Sequence, residues 1–214
     1  MNGSFCRDLF DKLPIVGILR GFHSRAVQKI VEISVQAGLT NIEITMNTAD
    51  APGLIRLARQ TAGDDMNVGA GTVCTITQLE TALAAGAQFI VTPVCRQDVT
   101  ERCRAEGIAV FPGAMTPTEI YQAWSFGADM VKIFPADQFG PDYIKAIKGP
   151  LPQIKLMPVG GVNPANIGDY IRCGADGFGV GGTMFDKDRI ANNDWPWLTQ
   201  QVRSFVDAYK KSKS

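Results

Sequence analysis

The chain of 214 residues has a single histidine, His23, and that scarcity removes much of metal and acid–base chemistry at the outset. There is no HExxH pair, and the five cysteines (Cys6, Cys74, Cys95, Cys103, Cys173) show no Cys-x-x-Cys spacing. No protein-built metal site is expected. An odd number of unpaired cysteines fits reduced thiols in the cytoplasm better than a disulfide framework. Charge of either sign is not in excess: Lys+Arg 21 balance Asp+Glu 21. Nucleic acid and acidic membrane surfaces are therefore not expected partners. No run approaches the ~20 apolar residues of a membrane helix, and residues 1–8 carry no apolar signal segment. Gly69-Ala70-Gly71 falls short of a GxGxxG fingerprint, so no dinucleotide site is read there, and no cofactor is expected.

What the sequence does have is a repeat. A short amphipathic helix over 4–12 is stopped by Pro14, and 15–20 reads as a first strand. Ser24 is placed as the N-cap of a helix through Ala37. Predicted helices then end at Gly38, Gly63, Gly86, Gly107, Gly127, Gly149 and Gly174, at intervals of 25, 23, 21, 20, 22 and 25 residues. Glycine just past a helix supplies a left-handed cap. An apolar run follows each: 42–46, 68–73, 89–93, 109–112, 130–135, 156–162 and 178–184. With the first strand this makes eight strands alternating with helices, the pattern of a (β/α)8 barrel in one domain over 1–214. An open doubly wound sheet is the competitor, but gives no reason for eight. A last helix, 195–211, carries Leu198, Val202, Phe205, Val206 and Tyr209 at helical spacing, and the lysine-rich end reads as a solvated, frayed tail.

Active sites of such barrels lie at the C-terminal strand ends. The sixth strand holds Lys132 among apolar residues, on the same face as Phe134. A lysine there either escapes to solvent or is buried, and burial lowers its pKa toward a neutral, nucleophilic amine. Glu43, Thr45 and Asn47 share the inward face of strand two, so one acid and one amine are aimed at one interior. A structural Glu–Lys pair is the bland reading of the same fact. Gly160-Gly161 and Gly181-Gly182-Thr183 end strands seven and eight, where glycine amides and a threonine hydroxyl can cradle a phosphate; simple turns are the alternative. Arg20 suits a carboxylate or phosphate, or is only a surface residue after a strand. Thr72 can donate to a small carboxylate. His23 reads as a surface loop residue.

Taken together, Ile18-Leu19-Arg20-Gly21, Glu43-Ile44-Thr45, Gly69-Ala70-Gly71-Thr72-Val73, Val91-Thr92-Pro93, Val131-Lys132-Ile133-Phe134-Pro135-Ala136, Gly160-Gly161-Val162 and Gly181-Gly182-Thr183 resemble the 2-keto-3-deoxy-6-phosphogluconate aldolases. That group includes the 4-hydroxy-2-oxoglutarate and 2-keto-3-deoxy-6-phosphogalactonate aldolases. The resemblance implies a metal-independent class I aldolase, a homotrimer, cleaving a phosphorylated keto-deoxy sugar acid to pyruvate and glyceraldehyde 3-phosphate. It casts Lys132 as the Schiff-base lysine and Glu43 as the general acid/base. Arg20 and Thr72 match positions around the pyruvate portion, Pro93 and Phe134 match pocket walls, and the glycines with Thr183 match the phosphate grip. Many phosphogluconate-type members have Arg in place of Asn47 and Thr in place of Val159; the pair found here looks more like the phosphogalactonate type. The C4 epimer stays open. Rival readings are another phosphate-gripping barrel, such as a phosphosugar isomerase or thiamine-phosphate-type synthase, and a silent sugar-phosphate sensor.

Overall fold

The computed structural model describes residues 4–213. The readings made on residues 1–3 and on the final serine of the tail fall outside the described residues. In chain order, α1 (Arg7–Lys12) leads into β1 (Ile15–Leu19). Then follow α2 (Ser24–Ala37), β2 (Asn41–Thr45), α3 (Ala51–Ala62), β3 (Asn67–Gly71), α4 (Ile76–Ala84) and β4 (Phe89–Val91). The second half runs α5 (Gln97–Ala105), β5 (Ala109–Phe111), β6 (Gly113–Ala114), α6 (Pro117–Ser125), β7 (Val131–Ile133), α7 (Gly140–Lys148), β8 (Leu156–Pro158), α8 (Ile167–Arg172), β9 (Phe178–Val180), α9 (Lys187–Ala191) and α10 (Trp195–Lys213).

All strand pairs are parallel. Six strands pair in the order β5-β4-β3-β2-β1-β9, and three in the order β6-β7-β8. The fold is α/β with a curled parallel sheet and helices packed outside it. Only Pro112 separates β5 from β6, and a parallel bridge joins Val159 to Gly179 of β9. The expected strand at 109–112 is thus two short pieces. Proline has no N–H for the ladder, yet its carbonyl still accepts from the Lys132 N–H at 2.9 Å.

Other strands end earlier than their apolar runs. Strand eight of the reading stops at Val180, because the Met184 and Phe185 N–H groups turn back onto the Gly181 carbonyl. Strand seven stops at Pro158, ahead of Gly160 and Gly161 at φ +107° and +68°. Six of the seven helix-ending glycines have positive φ, as a left-handed cap requires. Gly149 is the exception, at φ −55° with its N–H bonded to Lys145. The N-cap of α2 is His23 rather than Ser24: its Nδ1 accepts from the Ala26 N–H at 3.4 Å. The helix at 195–211 continues to Lys213, so the tail expected to fray is helical.

Alternation along the strands sorts side chains onto two faces. Ile42, Ile44, Val68, Ala70, Val131 and Ile133 pack outward against the helices in the larger core. A second cluster lies on the concave face: Phe10, Val16, Phe89, Val91, Phe111, Met130, Met157 and Val159. Gly69 makes room for Phe89, whose ring would sit 2.5 Å from an added Cβ. Phe10 of α1 stacks on Phe111 at 5.3 Å, so the short first helix covers the N-terminal end of this cluster. Beside it lies a buried amide pair. Asn67 Nδ2 donates to Asn41 Oδ1 and to the Cys6 carbonyl, both at 2.9 Å, and its Oδ1 accepts from the Cys6 N–H at 2.8 Å. Asn41 Nδ2 in turn donates to the Leu13 carbonyl at 2.9 Å. Packing and amides together close that end, leaving the opposite end open for a site.

Replacing Asn67 by Leu keeps the branched shape but strands the Cys6 N–H and the Asn41 side-chain Oδ1. Each unsatisfied buried group costs about 1–3 kcal/mol, so urea unfolding of Asn67→Leu should show a loss of at least that size.

Candidate active site

Lys132 sits in the middle of β7 and is only 3% exposed; Glu43, in the middle of β2, is 1% exposed. Both are on the concave face because Val131 and Ile133, and likewise Ile42 and Ile44, occupy the outward positions. A carboxyl and an amine therefore meet in the same interior, where water cannot solvate either charge. Burial dominates both groups: it lowers the Lys132 pKa and raises that of Glu43. Their mutual attraction acts in the opposite sense, and the Arg20 charge pulls both pKa values down. Among the described residues the two side chains attract each other but do not close into an ion pair. Burial thus favours the uncharged form of both groups, an amine nearer to a nucleophile beside a carboxyl nearer to holding a proton.

Phe134 follows Lys132 by two positions and shares its face. The Lys132 Nζ lies 5.0 Å from that ring's centroid, so the ring forms one wall around the amine. Gly71, which pairs with Thr45 across the β2–β3 ladder, leaves the room that the Glu43 carboxyl occupies. An added Cβ there would sit 2.1 Å from Glu43 Oε1. The glycine ending β3 is what lets the carboxyl stand where it does.

The amine opens on a cavity of about 330 Å³ at the C-terminal ends of the strands. Arg20, Lys132, Phe134, Val159, Gly160, Gly161, Gly181, Gly182 and Thr183 all line it. Glu43 is buried within charge-interaction range of Lys132 and does not line the cavity. Thr72 and Pro93 are half-buried nearby, and Asn47 is exposed beyond the end of β2; none of the three lines the cavity. Thr72, at φ +57°, accepts a long hydrogen bond from Arg20 Nη2 at 3.5 Å and so steadies the arginine. Pro93 instead packs against Gly113, where an added Cβ would lie 2.4 Å from the Pro93 carbonyl oxygen.

The glycine loops are suited to an anion. Gly182 has open space on its Cβ side, and Gly160 and Gly161 adopt conformations that other residues enter only with strain. Thr183 departs from the expected role. Its hydroxyl donates to the Val162 carbonyl at 2.7 Å, so it ties the loop after β9 to the loop after β8 and its proton is not available to a ligand.

Sequence reasoning missed Ile18, Phe22, Phe185, Asp186 and Lys187, which also line the cavity. Ile18 was accessible, since it alternates inward with Val16. Phe22, Phe185 and Asp186 lie in loops and Lys187 opens the five-residue α9, where no periodicity orients a side chain.

With this geometry in view, comparison with known proteins is decisive. The sequence model of the aldolase family "KDPG and KHG aldolase" matches residues 7–201. The chain belongs to that family. It is 36% identical, over 94% of its length and 97% of the relative's, to 2-dehydro-3-deoxy-6-phosphogalactonate aldolase of Escherichia coli K12. A solved native KDPGal structure superposes with a TM-score of 0.88 at 35% identity, covering 94% of this chain and 96% of that one. The KDPG aldolase of Legionella pneumophila, solved with pyruvate captured as a covalent carbinolamine, superposes with a TM-score of 0.85 at 27% identity, covering 92% and 96%. This chain is accordingly an aldolase, a carbon–carbon lyase of the Schiff-base class.

Gly71→Ala should leave the fold standing and displace the Glu43 carboxyl. A misplacement on the order of 1 Å costs roughly 10²-fold in rate. Pyruvate release in a dehydrogenase-coupled assay should fall by that order, with the circular dichroism spectrum unchanged.

Proposed function

We propose that the chain cleaves a 2-keto-3-deoxy-6-phospho sugar acid to pyruvate and glyceraldehyde 3-phosphate through an imine on Lys132, with Glu43 as the proton carrier. The observation that carries the reading is the buried amine at the cavity wall, beside a buried carboxyl and free of an ion pair. Neutral Lys132 attacks the C2 ketone. Glu43 delivers a proton to the departing oxygen, water leaves, and an iminium remains. The C3–C4 bonding electrons move toward the iminium nitrogen as the C4 hydroxyl loses its proton, passed to Glu43 through a water. The aldehyde departs; the enamine is protonated at C3, and hydrolysis frees pyruvate and regenerates the amine.

Arg20, steadied by Thr72, holds the substrate carboxylate next to C2, and Phe134 and Pro93 shape the surroundings. Gly160, Gly161, Gly181 and Gly182 offer backbone N–H groups to the phosphate, with Thr183 fixing the two loops together. Val159, on the cavity wall, favours a galactonate-type substrate over the gluconate type, since valine offers no hydroxyl to a substrate hydroxyl, and the relative with 36% identity is named a phosphogalactonate aldolase. Cleavage of unphosphorylated 4-hydroxy-2-oxoglutarate to pyruvate and glyoxylate belongs to the same chemistry.

The assembly in which this site works is, in our reading, a single-domain (β/α)8 barrel. Two features support that reading: β5 and β6 can be counted as one strand broken at Pro112, and a parallel bridge links Val159 to Gly179 of β9. A cytoplasmic homotrimer completes the proposal. No described helix is long and apolar enough to cross a membrane, which is compatible with it.

Borohydride added with pyruvate should leave a stable adduct on the peptide holding Lys132, found by mass spectrometry; an unmodified Lys132 refutes the covalent route. Glu43→Gln should reduce turnover by about 10²–10⁴-fold, the usual worth of a positioned proton carrier, while still permitting slow trapping. Lys132→Ala should abolish both, and a chelator should change neither.

A further inference from the structure

Lys187 has no part in the mechanism just given, yet it lines the same cavity as Lys132 and Arg20. It begins α9, on the rim of the cavity, and its ammonium rests against Gly21. A Cβ added to Gly21 would lie 3.3 Å from Lys187 Nζ. That resting place is itself fixed: Gly21 is in a left-handed conformation, and its N–H donates to Thr48 Oγ1 at 2.9 Å. Among the described residues Lys187 has no hydrogen-bond or ion-pair partner. The carboxylate beside it in sequence, Asp186, also lines the cavity, but its Oδ1 accepts from the Arg189 N–H at 2.8 Å as the N-cap of α9. An uncommitted cation thus stands at the cavity mouth.

We propose that Lys187 is a specificity-determining residue that binds the substrate's anionic group farthest from Lys132 and so makes the enzyme select phosphorylated over unphosphorylated keto acids. The assignment rests on the aldolase reading above and adds to it a charged contact that the glycine amides lack. Two cations reach the cavity from its β1 side, and they divide the substrate's two anionic ends. Arg20 bears on the charges of both Lys132 and Glu43, so it belongs to the carboxylate next to the reacting ketone. Lys187 bears on neither and belongs to the other end. A cation on a flexible stem suits a phosphate as a point charge, without the fixed fork a carboxylate exploits.

The test compares Lys187→Met with wild type on three readouts: cleavage of the phosphorylated sugar acid, inhibition by inorganic phosphate, and borohydride trapping of pyruvate. Loss of one charge-assisted contact should lower kcat/KM for the phosphorylated substrate about tenfold or more, mainly through KM. Inhibition by inorganic phosphate should weaken by a similar factor, and the rate of pyruvate trapping on Lys132 should not change. Lys187→Arg should recover most of the loss. Gly21→Ala, which crowds the ammonium without removing it, should raise KM in the same direction. An unchanged KM and phosphate inhibition in Lys187→Met would overturn the assignment while leaving the aldolase reading intact. Equal losses in cleavage and in pyruvate trapping would overturn it too, since they would mark a structural role. A wild-type protein that forms no imine with pyruvate refutes the aldolase reading and this assignment together.

Discussion

The exclusion of water from one amine and one carboxyl is the constraint on which the rest of the structure depends. Lys132 and Glu43 are each almost wholly buried, and burial drives both toward their uncharged forms. In water the amine would be protonated and unreactive at neutral pH. Here the carboxyl can carry the proton that the amine gives up. The Arg20 charge reinforces this on the lysine side and opposes it on the glutamate side, which keeps the carboxyl able to release its proton again. A structural pair would have closed to contact. This one has not.

That arrangement costs stability, because two ionisable groups are taken from water without the compensation of a direct bridge. The scaffold offsets it elsewhere. Phe10, Phe89 and Phe111 fill the opposite end of the concave face, and Asn41 and Asn67 satisfy the backbone there. The site end is built instead from glycines and short loops. Gly71 gives the carboxyl its room, Gly160 and Gly161 expose backbone to a ligand, and the Thr183 hydroxyl joins the loops after β8 and β9. One end of the sheet is packed for stability and the other is left open for chemistry.

How much of this could be read from sequence follows from which signals are periodic. Strand alternation placed Lys132 with Phe134, and set Glu43 opposite Ile42 and Ile44, because a period of two is unambiguous once the outward residues are apolar. The helix-ending glycines marked the repeat for the same kind of local reason, and Gly149 escaped because its helix turns on without a left-handed cap. Loops carry no period. Phe185 was invisible for that reason, and Lys187 because α9 is too short to show a period; the Thr183 proton went to Val162 rather than to a ligand because a carbonyl from another loop lies within reach. Strand ends were read too long where the chain turns within the expected run, as at 181–184, where the Met184 N–H returns to the Gly181 carbonyl. Pro112 split one strand in two, which only its missing N–H explains. Asn47 and Pro93 were carried to the site by resemblance of motif, and the cavity does not include them.

The most direct measurement of the central claim is the titration of the lysine ε-carbons by NMR, with the Lys132 signal assigned by its absence in Lys132→Met. Desolvation should make that one resonance titrate well below the ordinary lysine value of 10.5, and the Glu43→Gln variant should lower it further by removing the opposing attraction. A Lys132 signal that titrates together with the surface lysines would contradict the account, whatever activity the protein showed.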